Sequence, residues 1–223
     1  MTPSTTSVRL FLARHGETPG NREMRYLGSI DEPLAPSGIG QAERLAAALG
    51  PLPLAAVYAS PLVRAAETGR RIAAARRSDL RLEERLREQC FGAWEGLTRA
   101  EVLEKGEREQ LLRWEADLGL APPGGESLAS VQERMIALVN DLRRQHAGAW
   151  VALVSHVGPI KALLCAALGA PLATARHLFL DPGTLTVLDW GERPVVRLFN
   201  AHGHLGWEEA RWMRAQTSTT TGA

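Results

Sequence analysis

The stretch Val8-Arg9-Leu10-Phe11-Leu12-Ala13-Arg14-His15-Gly16-Glu17-Thr18 decides how the rest of the chain is read. Val8 to Ala13 is a short apolar run, the pattern of a buried strand. It ends on Arg14-His15-Gly16, and a turn-prone Pro19-Gly20-Asn21 follows. Such a strand puts an imidazole and a guanidinium at the carboxyl end of a sheet, where open α/β sheets build their sites. Histidine can act as a nucleophile, and arginine can hold a phosphate by two parallel hydrogen bonds. The pair points to phosphoryl transfer through a phosphorylated histidine.

Further along the chain the same strand-then-polar-end pattern repeats. Asp31 to Gly38 reads as a loop, with Ser37 as N-cap of a helix over Ile39 to Leu49 that Gly50-Pro51 stops. Leu54 to Ala59 is a second strand, and Ser60-Pro61 is expected to start a helix running to about Ala75. Leu80 to Leu82 is a short strand. Glu83 to Gly96 has no period and reads as a loop. Thr98 caps a helical stretch to about Leu118, which Pro122-Pro123-Gly124-Gly125 breaks, and Ser127 caps a helix over Leu128 to His146. Trp150 to Val154 is apolar throughout, as for a central strand covered on both faces. Pro159 to Leu168 is a helix, and Leu185 to Asp189 with Val195 to Phe199 form a hairpin around Gly191. Strands alternating with helices imply an α/β sandwich with a largely parallel sheet. The expected organisation is one domain over residues 1–223. Residues 95–125 form a helical lid, and residues 1–7 and 216–223 are disordered.

What ends each strand carries the chemistry. The second strand leads into Ser60-Pro61-Leu62-Val63-Arg64, and the Trp150 strand into Ser155-His156-Val157-Gly158. Parallel strands deliver their carboxyl ends to one edge, so His15, His156, Arg14 and Arg64 are expected in one crevice. Arg14 and Arg64 match the oxygens of a phosphomonoester dianion and favour a neutral His15. His156 would donate to a phosphate oxygen in the transition state. Gly158-Pro159 opens a helix whose N–H groups favour anions. Glu88, in the aperiodic loop, is the candidate proton donor to the leaving oxygen, kept protonated by the nearby dianion. Each residue taken singly has a plainer reading. A strand-end histidine is commonly a structural hydrogen-bonding group, Arg64 a surface helix residue, and Glu88 one member of a solvated charged run, Arg81 to Glu88. Ser60 and Ser127 read as helix caps. His146 reads as exposed at a helix end and, with His177, His202 and His204, as structural. No carboxylate or cysteine stands at ligand spacing to complete a metal site with the two histidines.

Composition bounds the partners. The chain has 223 residues, 45% apolar and 23% charged, with a formal net charge of +1, which gives no reason to expect nucleic acid or an anionic membrane. Only Lys105 and Lys161 are lysines, so an anion site must be built mainly from arginine. Cys90 and Cys165 are too few for a disulfide framework. No signal-peptide pattern occurs, nor any run of roughly 20 apolar residues able to span a bilayer. A cytoplasmic protein is expected.

These residues resemble the signature of the histidine phosphatase superfamily, which includes cofactor-dependent phosphoglycerate mutases. Arg14-His15-Gly16-Glu17-Thr18 with Asn21 carries the first part of the resemblance. It continues in order through Arg25 and Gly28, Asp31-Glu32-Pro33-Leu34, Ser37-Gly38 with Gln41-Ala42, and Ser60 to Ala65. Leu86-Arg87-Glu88, Phe91-Gly92, Trp94-Glu95-Gly96, Gly124 to Ser127 and Ser155-His156 complete it. The resemblance spans roughly residues 8 to 200. It implies a three-layer α/β sandwich with a mixed, mostly parallel central sheet, and no metal or other cofactor. It also implies His15 as phosphorylated nucleophile and Glu88 as proton donor, with Arg14, Arg64, His156 and Asn21 around the phosphate. Ser155 to Lys161 looks like the branch related to α-ribazole phosphatase. The mutases place two adjacent arginines and a lysine before the Glu-Ser pair to grip a carboxylate and a second phosphate. Here the lid has only isolated Arg99, Arg108, Arg113 and Lys105. Two departures stand out: Gly20 where many members have Trp, and Leu27 where many have a polar residue facing the leaving group. Leu27, with Phe91, Trp94 and Trp114, suggests a leaving group with apolar surface.

The reading is therefore a metal-independent phosphomonoesterase for a small-molecule phosphate ester, α-ribazole phosphate or a broader set. The alternatives are a mutase, in which a second substrate hydroxyl rather than water attacks phospho-His15, and a regulatory or anion-binding member without catalysis. Oligomeric state is open, with a homodimer among the options.

Overall fold

A computed structural model describes residues 6–206. Of the termini expected to be disordered, residues 1–5 and 216–223 lie outside the described residues. Ser7 is buried, and its carbonyl accepts from Gly148 N–H.

Six strands form one mixed sheet: β1 (Val8–Arg14), β2 (Leu54–Ala59), β3 (Leu80–Leu82), β4 (Trp150–Ser155), β5 (Leu185–Trp190) and β6 (Val195–Ala201). The spatial order is β3-β2-β4-β1-β5-β6. The first four are parallel, and the β5–β6 hairpin adds to β1 antiparallel, as the mixed, mostly parallel expectation required. Strand residues alternate between faces. Leu10 and Leu12 pack with Val151 and Leu153 under α6 (Leu128–Gln145) and α7 (Val157–Leu168). Phe11 and Ala13 pack with Ala152 and Val154 under α2 (Pro36–Leu49) and α3 (Val63–Ala75). The β4 run is apolar because both its faces are covered.

Strand register positions the site. Arg14 sits opposite Ser155, and Ala59 opposite Val154. His15 N–H then donates to Ser155 O (3.1 Å) and Ser60 N–H to Val154 O (2.9 Å). The ends of β1, β2 and β4 are therefore level, and the next residue of each enters the same space.

Several local expectations are corrected. Ser37 does not cap α2, whose N-cap is Ala35. The Ser37 hydroxyl instead donates to Glu17 (2.7 Å) and accepts from Arg22 (2.6 Å). Helix α3 begins at Val63, two residues later than Ser60-Pro61 suggests, because Ser60 remains on the sheet ladder. Pro19 to Arg22 closes into one helical turn, α1, capped by Thr18 and Asn21. The stretch after Thr98 is two helices, α4 (Arg99–Glu104) and α5 (Arg108–Ala116), parted at Gly106, whose φ of +84° favours glycine. Thr98 and Ser127 do cap their helices. Helices α4 and α5 enclose a small core of their own, with Trp94, Val102 and Leu111 buried against Tyr26, Phe91, Leu97, Leu103 and Trp114. No described helix is long and apolar enough to cross a membrane.

Candidate active site

A cavity of about 400 Å³ opens at the carboxyl edge of the parallel strands. Arg14, His15, Asn21, Leu27, Arg64 and Glu88 line it, together with Phe91 and Trp114 from the lid side and Lys161 from α7. His156 is fully buried beside it, its ring centroid 4.9 Å from that of His15. Among the described residues no group of three or more His, Cys, Asp or Glu side chains is placed to hold a metal ion.

His15 has a defined tautomer. Its Nδ1 lies 2.7 Å from Gly16 O, and a carbonyl can only accept, so Nδ1 carries the hydrogen and Nε2 the lone pair. Burial, with Arg64 and Arg14 close by, holds His15 well below the ordinary histidine range, so the ring is neutral. The turn after it is tight. A Cβ on Gly16 would lie 2.2 Å from Gly38 O, and one on Gly38 would lie 2.0 Å from Glu17 O. Only two glycines allow α2 to approach the strand end this closely.

His156 is neutral for the same reasons, burial first and then Arg64. Its Nε2 is 2.8 Å from Ser60 Oγ. The same Ser60 hydroxyl accepts from Leu62 N–H (3.3 Å), which ties the imidazole to the start of α3. The His156 Nδ1 is buried with no hydrogen-bond partner among the described residues, as is Arg64 Nε. Each has capacity for a ligand oxygen.

Backbone carbonyls brace both arginines. Arg64 donates to Ile30 O (2.6 Å) and Gly28 O (2.9 Å). Arg14 donates to Leu180 O (2.5 Å). The Leu180 loop is itself held. Asp181 N–H donates to Asn200 (2.9 Å), and the Asp181 carboxylate contacts His202 Nε2 (2.9 Å) in a buried pair.

Glu88 is 8% exposed, not part of a solvated face. Ser155 Oγ donates to Leu86 O (2.7 Å), and Arg134 donates to Arg85 O (2.6 Å) and Glu88 O (3.2 Å). These bonds draw the aperiodic loop against β4. Burial raises the Glu88 carboxyl above its ordinary range, against the opposing pull of Gln89 N–H and the two arginines. The push towards the protonated acid thus comes from burial, before any dianion binds. At the α7 N-terminus Gly158 N–H donates to Glu88 Oε1 (3.1 Å), so that N–H serves the acid.

The structure brings together every residue singled out for the phosphate and the proton: His15, His156, Arg14, Arg64, Asn21 and Glu88. Leu27, Phe91 and Trp114 do line the cavity, whereas Trp94 is fully buried in the lid core. Among the lid cations, Arg99 pairs with Glu115 and Arg113 with Glu109, and neither they nor Arg108 or Lys105 line the cavity. His146 is half-buried and bonds Tyr58 OH (3.0 Å), so it is not an exposed helix end. Sequence reasoning did not find the parts of Ser60, Ser155 and Arg134. Ser60 carries a helix-start signal that hides its strand-end position, and Arg134 looks like any exposed residue of an amphipathic helix.

The family model of the histidine phosphatase superfamily (branch 1) matches residues 10–202. Phosphoserine phosphatase 1 of Hydrogenobacter thermophilus is 36% identical over 201 residues, covering 89% of this chain and 95% of that protein. The adenosylcobalamin/alpha-ribazole phosphatase of Escherichia coli is 28% identical over 205 residues, covering 91% of this chain and all of that one. The bifunctional protein Rv2228c of Mycobacterium tuberculosis is 38% identical over 205 residues, 90% of this chain but 56% of that protein's length. Among solved structures, mycobacterial glucosyl-3-phosphoglycerate phosphatase Rv2419c superposes with a TM-score of 0.80 at 31% identity, covering 87% of this chain and 99% of that one.

Proposed function

The chain belongs to the histidine phosphatase superfamily (branch 1) and is a phosphomonoesterase of small phosphate esters, and from that premise we propose that His15 is its nucleophile and Glu88 its acid. Arg14, Arg64, Asn21 and His156 Nδ1 take the phosphoryl oxygens. His15 Nε2 forms the N–P bond as the ester P–O bond breaks, and the Glu88 proton goes to the leaving oxygen. Water then attacks phospho-His15, and the Glu88 carboxylate takes its proton. Inorganic phosphate leaves, and neutral His15 and protonated Glu88 are restored. Residues 95–125 act as a lid on one domain.

The observation that carries this reading is the Nδ1 contact to Gly16 O, which leaves Nε2 as the only basic nitrogen of a neutral imidazole. The lid supports water over a second substrate hydroxyl as the attacking group, because its cations are absent from the cavity wall. The test is a rapid quench with a radiolabelled ester in EDTA. An acid-labile, alkali-stable label on His15, turning over to inorganic phosphate, is expected. A label transferred to a second hydroxyl in preference to water would favour the mutase reading. Hydrolysis without any label would overturn the nucleophile. Hydrolysis rates for α-ribazole phosphate, phosphoserine and 3-phosphoglycerate then order the substrates.

A further inference from the structure

Lys161 is a cavity residue that the phosphate chemistry does not use. It lies on the same face of α7 as Val157, four residues earlier, and both line the cavity with Arg14, Arg64 and Glu88. His156 is the N-cap of that helix. Lys161 is five residues further on, about 7.5 Å along the axis at 1.5 Å per residue. Helical side chains lean towards the N-terminus, so its four-carbon stem leans towards the phosphate end. The ammonium belongs to the wall that a leaving group would meet next.

The other cavity cations have partners. Arg14 and Arg64 are braced by carbonyls and face the phosphate, while Arg25 is tied to Glu23, Glu101 and Gly96 O. Lys161 has no hydrogen bond or ion pair among the described residues. The acidic groups that interact with it are Glu88, which must carry its proton to act as the acid, and the Cys165 thiol, which burial pushes towards its neutral form. Burial and the nearby Arg14 already press the ammonium towards its neutral form. A phosphomonoester dianion is met by Arg14 and Arg64, and Lys161 stands on the wall beyond them. A half-buried cation without a counter-charge is costly, and a ligand that supplies one is favoured for that reason. The remaining wall, Leu27, Phe91, Trp114 and Phe179, is apolar or aromatic and suits a short carbon skeleton.

The geometry points to Lys161 as an anion anchor for the leaving group, so that the preferred esters carry a carboxylate on a short carbon skeleton beyond the phosphate. This rests on the phosphatase reading above and deepens it. The anchor sits on α7 and not on the lid. An uncharged nucleoside leaving group would leave Lys161 unpaired.

A matched pair of esters tests it. 3-Phosphoglycerate and glycerol 3-phosphate differ in a carboxylate against a hydroxymethyl group. Their kcat/KM ratio, measured in each variant, cancels any change common to both. The wild-type ratio is expected to favour the carboxylate by about tenfold or more, equivalent to about 1.4 kcal/mol. In Lys161→Met the ratio should fall close to one, chiefly through KM, and Lys161→Arg should restore most of it. A wild-type ratio near one overturns the anchor, as does a ratio that Lys161→Met leaves intact. If Lys161→Met disturbs folding, Lys161→Arg against Lys161→Gln decides the same question. p-Nitrophenyl phosphate, with no carboxylate, separates the two levels. Its hydrolysis through labelled His15, together with a flat ratio, removes the anchor alone. Failure to hydrolyse it through His15 removes the phosphatase mechanism and the anchor with it.

Discussion

The two ends of the cavity are built by different means. At the phosphate end His15, Ser60 and His156 each follow a strand by one residue, and the ladder β2-β4-β1 holds them level. Most polar atoms there bond to backbone carbonyls or to one another, and the strand ends beneath, Ala13, Ala59 and Val154, are fully buried. At the leaving-group end the wall comes from the lid and α7. The lid core has three fully buried side chains, Trp94, Val102 and Leu111, ringed by half-buried aromatics. Chemistry demands sub-ångström placement and is set on the sheet, whereas selectivity can be set on helices and loops that vary more freely. Changes at the first end should therefore act on kcat for every ester, and changes at the second on KM for some.

His15→Ala is the severest test of that division. Hydrolysis of all esters should fall by about 10⁴-fold or more, as for loss of a nucleophile, while inorganic phosphate binding by calorimetry persists. Retained activity would mean that the strand end is not the reacting centre. Glu88→Gln should lower kcat by about 10²- to 10⁴-fold on esters with poor leaving groups, and much less on p-nitrophenyl phosphate. Its pH profile carries a sign. The wild-type rate should fall as pH rises through the raised Glu88 range, because the acid ionises, and Gln should abolish that limb. On the acid side, activity should persist below the ordinary histidine range, because His15 stays neutral there. Stability follows the same linkage. For a carboxyl raised in the fold, the stabilisation is present at low pH and lost as pH rises through the raised value. Gln should therefore raise the melting temperature at neutral pH.

Smaller effects sharpen the comparison. Ser60→Ala removes the hydrogen-bond partner of His156 Nε2, and kcat should drop by about tenfold, the order of one hydrogen bond to a reacting group. KM should move little. Leu111→Ala should cost the lid core about 2–5 kcal/mol, read as faster hydrogen exchange in α4 and α5. Inorganic phosphate affinity should stay constant while KM for the larger esters rises several-fold. If phosphate affinity falls in step, the two ends are one unit.

Much of the phosphate end was legible because its signals are local. A short apolar run followed by Arg-His-Gly can be seen in one window, and Thr98 and Ser127 announce their helices. The failures were positions where a local signal met a tertiary competitor. Ser37 has the side chain of a cap, but Glu17 and Arg22 claim it. Ser60-Pro61 looks like a helix start, but pairing with Val154 O keeps Ser60 on the sheet. Trp94 reads as a ligand-facing aromatic and is lid core. Lys161 passed as part of a motif, since nothing in its neighbours says which face of α7 meets the cavity.

By itself the sequence determined the chemical kinds present, two imidazoles, two guanidiniums and a carboxyl near the ends of parallel strands. It also determined the α/β periodicity that brings strand ends to one edge. Only the tertiary structure decided the level register that sets His15 and His156 4.9 Å apart, the water exclusion that keeps both neutral, and the burial that pushes the Glu88 carboxyl up. The physical reason is that composition and period are local properties. Register and desolvation depend on segments far apart in the chain, as Leu86 O against Ser155 and Gly158 N–H against Glu88 illustrate.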